Sequence, residues 1–142
     1  MTVVVGYVPG ATGEAALAVA LAEADRRREA LLVVNVGLPD AARDPRFLDE
    51  GERSRLADRL LFAGASFEIE QLVRGREPAE ELVEAAARVR ASVLVIGMRR
   101  RSPTGKLLFG SQAQRVLLDA DCPVLGVKAP HRGTATAGPT GG

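Results

Sequence analysis

The sequence predicts a doubly wound α/β fold, a mostly parallel sheet with helices on both faces. Short runs such as Val3-Val4-Val5, Ala30 to Val36 and Val93-Leu94-Val95-Ile96 are apolar almost throughout, as strands buried on both faces are. Longer segments with helical spacing lie between them, so strand and helix alternate along the chain and right-handed crossovers follow. The stretch from Gly97 to Ser111 leaves one such strand and enters a helix. That sets a glycine-bearing, basic loop at the carboxyl end of a strand, where open α/β sheets bind small ligands.

Taken in order, Thr2 to Val8 reads as a first strand, ended by Pro9-Gly10. Gly13 to about Arg28 carries Leu17, Leu21 and Ala24 on one helical face, and Arg26-Arg27-Arg28 suit the negative pole of its dipole. Ala30 to Val36 is the second strand, stopped by Gly37-Leu38-Pro39; Asp40 to Phe47 lacks periodicity and reads as a mobile loop. From Asp49 to about Ala63, Leu56 and Leu60 mark a second amphipathic helix, with Gly64 placed to end it. Ser66 to Arg74 alternates as a strand near a sheet edge does. Pro78 opens a third helix with Leu82, Val83, Ala86 and Val89 inward, and Glu77, Glu80 and Glu81 read as solvated charges at its start. After Val93 to Ile96, the fourth helix runs from Gln112 to Ala120 with Ala113, Val116, Leu117 and Ala120 facing the sheet. Cys122 to Val127 is the last strand, and Pro123, which cannot donate to a ladder, belongs at its start or edge. Ala129 to Gly142 is rich in Gly, Thr and Pro and reads as a disordered tail.

Composition narrows the function. A chain of 142 residues is most simply one domain able to bury a core unaided. With 19 Lys and Arg against 18 Asp and Glu, the basic loop is local and not part of a chain-wide nucleic-acid surface. The sole Cys122 rules out an internal disulfide and favours a reducing compartment. There is no leader pattern at the amino terminus and no stretch long enough to span a bilayer, so the expectation is a soluble cytoplasmic protein without a membrane partner. Its single histidine, His131, lies in the tail, which excludes a histidine triad or zinc site. Cys122 beside Pro123 reads as a small core residue, having no histidine to activate it. Gly105-Lys106 resembles a P-loop, but Arg100 and Leu107 stand where that motif needs Gly and Ser or Thr. Gly6, Gly10 and Gly13 lack the dinucleotide spacing and read as turn and packing residues. No paired carboxylates suggest an enzyme.

Within the loop, Gly110-Ser111 at a helix start offers unpaired N–H groups and the positive dipole end to an anion, with Arg99, Arg100, Arg101 and Lys106 nearby. Read from the residues alone, a plain helix cap with solvated arginines stays equally open.

The order of elements and this loop resemble the universal stress protein family, over about residues 2 to 128. Nucleotide-binding members carry a glycine, two residues, a second glycine, nine residues, then glycine followed by serine or threonine. Gly97, Gly110 and Ser111 match at that spacing, and Leu117 to Val124 resembles the approach to the family's last strand. The resemblance implies a five-stranded parallel sheet in the order 3-2-1-4-5, of the adenine nucleotide alpha hydrolase type, over residues 1–128. It also implies a homodimer formed through the last strand, Val124 to Val127. It further implies a regulatory stress-response module that binds ATP or a related phosphorylated nucleotide without efficient catalysis, Mg²⁺ being held only through the nucleotide. In that reading Tyr7 and Val8 lie in the first loop, the Val36 backbone holds the adenine, and Gly97, Arg99, Arg100, Gly110, Ser111 and Gln112 line the phosphate side. Two positions depart from the pattern: Arg100 replaces the second glycine, and Val8 stands where ATP-binding members usually carry aspartate. The alternatives are a nucleotide-independent dimeric scaffold and, behind it, slow ATP hydrolysis. RNA is disfavoured, since few aromatic residues are available to stack bases.

Overall fold

The computed structural model describes residues 1–39, 44–99 and 110–130. The apolar runs form five strands, β1 Thr2–Gly6, β2 Ala30–Val36, β3 Phe67–Leu72, β4 Ala91–Met98 and β5 Val124–Lys128. Between them lie α1 Ala11–Arg27, α2 Glu50–Phe62, α3 Pro78–Arg88 and α4 Ser111–Asp119. The sheet has the order β3-β2-β1-β4-β5 with all neighbours parallel.

Alternation along each central strand explains the unbroken apolar runs. Val3 and Val5, Leu31 and Val33, and Val93 and Val95 pack on one face with Ala16, Leu17 and Ala20 of α1 and Leu56 and Leu60 of α2. Val4, Leu32 and Val34, and Leu94 and Ile96 pack on the other with Ala79, Leu82 and Ala86 of α3 and Val116 of α4. A strand covered on both faces has no position to spare for a polar side chain. Thr2 and Ser92 sit partly buried at the strand starts, and among the described strand residues Asn35 is the fully buried polar side chain.

The helices are cut by local signals. α2 starts on a reciprocal box: Glu52 N–H donates to Asp49 Oδ1 at 2.7 Å and Asp49 N–H to Glu52 Oε1 at 3.0 Å. Gly64, at φ 77°, turns the chain out of it. α1 ends on Arg28, which takes the left-handed conformation itself and donates to the carbonyls of Ala24 and Asp25. α1 also begins earlier than its spacing predicts. It meets the sheet through the small residues Gly13, Ala16, Ala20 and Ala24, while Leu21 is only partly buried, so the helix lies close against the strands.

Three expectations need correction. Glu81 is no solvated charge: its exposure is 0%, because the turn after β3 folds Arg74 and Arg76 back over it. Arg74 donates to it from Nε at 2.9 Å and Nη2 at 2.5 Å, and Arg76 from Nη1 at 3.3 Å. The Arg74 guanidinium, above all, holds its carboxyl below the usual range. Leu117 does not face the sheet; it is 45% exposed, since the short α4 turns Val116 inward with Ala113 and Ala120 beside it. The last strand starts at Val124, and Pro123 precedes it, accepting from Leu94 N–H at 2.9 Å. Residues 40–43 of the predicted mobile loop and 131–142 of the predicted tail lie outside the described residues.

Candidate functional site

β1 sits between β2 and β4, and the crossovers through α1 and α3 leave on opposite sides of that junction. Strand order reverses there, so the carboxyl ends of β1 and β4 splay into a crevice. Two glycines shape it. A Cβ on Gly13 would stand 1.7 Å from the Val8 carbonyl oxygen, and one on Gly97 would stand 2.5 Å from Thr12 Cγ2 and 2.9 Å from Thr12 O. Only glycine at both places lets the first turn of α1 drop between the β1 loop and the end of β4. The result is a cleft of about 200 Å³ whose walls include Val8, Val34, Val36, Leu82 and Ile96.

Of the residues expected to bind a nucleotide, Tyr7, Val8, Val36, Gly97 and Gln112 line this cleft. Gly110 and Ser111 form the N-cap and first residue of α4, whose first turn borders it through Gln112 and Ala113. No side chain caps that helix, so Ser111 is not the cap residue. Arg99 follows β4 on the exposed side and is not among the lining residues. Arg100, with Arg101 and Lys106, lies outside the described residues.

The polar groups of two lining residues are already engaged. The Tyr7 ring is buried, its hydroxyl donates to Glu14, and its backbone bonds Val34 and Asn35. Burial first, and then the Glu14 carboxylate, push the phenol up to about 12. Gln112 donates from Nε2 to Glu77 Oε2 at 2.8 Å and accepts at Oε1 from Ala79 N–H at 2.8 Å. It therefore ties the first turn of α4 to that of α3 and satisfies a helix-start donor.

Sequence reasoning missed Thr12, Asn35 and Arg46. Asn35 lies under the cleft: Nδ2 donates to Tyr7 O at 2.9 Å and Arg46 O at 2.8 Å, and Oδ1 accepts from Leu48 N–H at 2.9 Å and Gln71 Nε2 at 3.2 Å. It thereby moors the β2–α2 connection to the sheet and sets Arg46 on the cleft wall. A lone amide inside Leu31-Leu32-Val33-Val34-Asn35-Val36 was the signal, because a buried polar side chain must find partners.

Among the described residues the lining carries no carboxylate and no histidine. Among the described residues no group of three His, Cys, Asp or Glu side chains is arranged to hold a metal. Cys122 is partly buried against the second core face, and burial pushes its thiol up, away from nucleophile chemistry.

Comparison with known proteins places this geometry. The model of the universal stress protein family matches residues 1–128. A universal stress protein of Mycolicibacterium smegmatis is 46% identical over 129 residues, covering 91% of this chain and 98% of its own. The universal stress protein of Archaeoglobus fulgidus, solved in complex with dAMP, superposes with a TM-score of 0.61 at 29% identity, over 90% of this chain and 98% of its own. A universal stress protein solved in complex with cAMP gives 0.68 at 27% identity, over 92% and 98%.

Proposed function

The chain belongs to the universal stress protein family, and we propose that it is a regulatory module that binds an adenine nucleotide in the crevice between β1 and β4. The observation that carries this reading is the cleft itself. It is apolar where β1, β2 and β4 end, and it opens toward the first turn of α4. A base fits the first environment and a phosphate the second, since a helix start offers N–H donors and positive potential. Two relatives of similar architecture hold dAMP and cAMP, nucleotides of this class.

Val8 gives this site no carboxylate for ribose hydroxyls, so nucleotide preference shifts from members with aspartate there. Mg²⁺ would be held by the phosphates, because no lining side chain among the described residues is acidic. The same lack leaves no general base for an attacking water, which speaks against efficient ATP hydrolysis. Among the described strands β5 lies at the sheet edge with Leu125 exposed, which supports a homodimer through Val124 to Val127. No helix among the described residues is long and apolar enough to cross a membrane. A cytoplasmic setting accords with that.

A second reading, a dimeric scaffold that works without nucleotide, draws on the internal bonding of Tyr7 and Gln112 and on Val8. Native mass spectrometry of gently purified protein separates the two. The binding reading expects a dimer that carries adenine nucleotide, or takes it up from millimolar ATP with Mg²⁺. An empty dimer under that load would leave the scaffold.

A further inference from the structure

We infer that Arg46 is the specificity residue of the cleft, placed to stack on and select a purine base and not to hold a phosphate; this rests on the nucleotide-binding reading above. Three observations lead to it.

Arg46 stands on a fixed backbone. Its carbonyl accepts from the buried Asn35, two residues on Leu48 N–H donates to the same side chain, and Gln71 Nε2 bonds Leu48 O at 2.9 Å. The segment from Arg46 to Leu48 is thus moored to β2 and β3 from below.

Its guanidinium is held and neutralised. Nε lies 3.1 Å from Asp44 Oδ1 and Nη2 3.4 Å from Oδ2, while Asp44 also accepts from the N–H groups of Arg46 and Leu38. A charge already compensated by a carboxylate adds little to a phosphate contact, whereas the flat face of a guanidinium stays available for stacking on a heteroaromatic ring. Nη1 donates to no acceptor among the described residues, which leaves N–H groups for ring nitrogens.

The wall it shares is the base end. Val34, Val36, Leu82 and Ile96 make an apolar slot, the kind of wall against which a flat heteroaromatic base is buried. With the Tyr7 hydroxyl and the Gln112 amide both engaged inside the protein, Thr12 and Arg46 remain, among the described residues, as the polar lining side chains that can address a ligand.

Calorimetric titration of the full chain with ATP, CTP and tripolyphosphate, each with Mg²⁺, tests this. Arg46→Ala should weaken ATP by about five- to tenfold, narrow the preference for ATP over CTP, and leave tripolyphosphate unchanged; Arg46→Lys should not restore it. Equal loss for ATP and tripolyphosphate, or full rescue by lysine, overturns the assignment in favour of a phosphate contact. Unchanged ATP binding overturns it outright while sparing the nucleotide reading. A wild-type chain that binds no ATP overturns both. Unfolding midpoints of the variants, measured alongside, distinguish lost contact from lost fold.

Discussion

Arg59 grips both carboxylate oxygens of Glu14, from Nη2 at 2.6 Å and Nη1 at 3.1 Å, and so clamps α2 to the start of α1. The same carboxylate receives the Tyr7 hydroxyl, so the clamp extends to the floor of the cleft. Arg59 lowers the Glu14 carboxyl from its ordinary value, which keeps the acceptor charged.

Tyr7 therefore titrates late. It is the only tyrosine in a chain without tryptophan, so absorbance near 295 nm reports this phenol alone. The expected midpoint is about 12 in the folded protein, against about 10 when denatured. A folded pKa above the unfolded one means that the stabilisation is whole below the unfolded value and is lost as pH rises toward the folded one. Glu14→Gln should lower the midpoint yet leave it raised, because burial is the larger cause. A midpoint near 10 in folded protein would show Tyr7 to be exposed.

The glycines of the cleft should divide by substitution. Gly13→Ala and Gly97→Ala drive a Cβ into backbone atoms of Val8 and Thr12, and each should cost about 2 kcal/mol or more in urea unfolding. A Cβ on Gly110 meets nothing within 4 Å, and its φ of −67° suits any residue. Gly110→Ala should leave stability within about 0.5 kcal/mol of wild type. If Gly110→Ala nevertheless weakens ATP, its role is to let the ligand approach α4. If Gly110→Ala unfolds the protein, the open space beside it is wrong.

The strands were legible because both faces of β1, β2 and β4 are buried, which leaves continuous apolar runs; their register was not, since a run without alternation looks the same after a one-residue slip. Gly97, Gly110 and Ser111 could be placed at the cleft or at its helix start by their spacing from β4. Thr12, Arg46 and the burial of Glu81 could not, since each depends on which elements meet. Thr12 enters the cleft only because Gly13 and Gly97 bring two elements within contact, and Arg46 only because Asn35 pulls its loop down. Glu81 has the helix-start spacing of a solvated charge, and nothing local says that Arg74 and Arg76 will fold over it.

Glu81 should accordingly govern acid stability more than its neighbours. Its folded pKa is depressed, so its contribution is present above the unfolded carboxyl value of about 4.3 and is lost as pH falls through the lower folded value. Glu81→Gln leaves Arg74 and Arg76 without their shared acceptor and should cost about 2 kcal/mol at neutral pH, less than a fully enclosed pair because both arginines reach water. Glu84→Gln, on the exposed side of the same cluster, should cost distinctly less, because water screens that pair. Equal effects of the two changes would mean that Glu81 is not buried in solution.

The edge strand offers the last test. β5 pairs with β4 on one side and has no described strand on the other, and its Leu125 is 37% exposed with Leu118 of α4 at 83%. An apolar edge of this kind invites pairing with another chain, and an inserted charge opposes it. If the proposed dimer forms through β5, Leu125→Asp, which sets like charges across its two-fold interface, should convert it to a 15.0 kDa monomer by native mass spectrometry while leaving the unfolding midpoint of the monomer nearly unchanged. A dimer that survives Leu125→Asp but is lost in Phe62→Asp would move the interface to α2, where Leu61 and Phe62 are the competing exposed apolar pair. Because α2 lies on the opposite flank of the sheet from β5, the two results cannot be confused: one joins sheets edge to edge, and the other packs helices and leaves β5 unpaired.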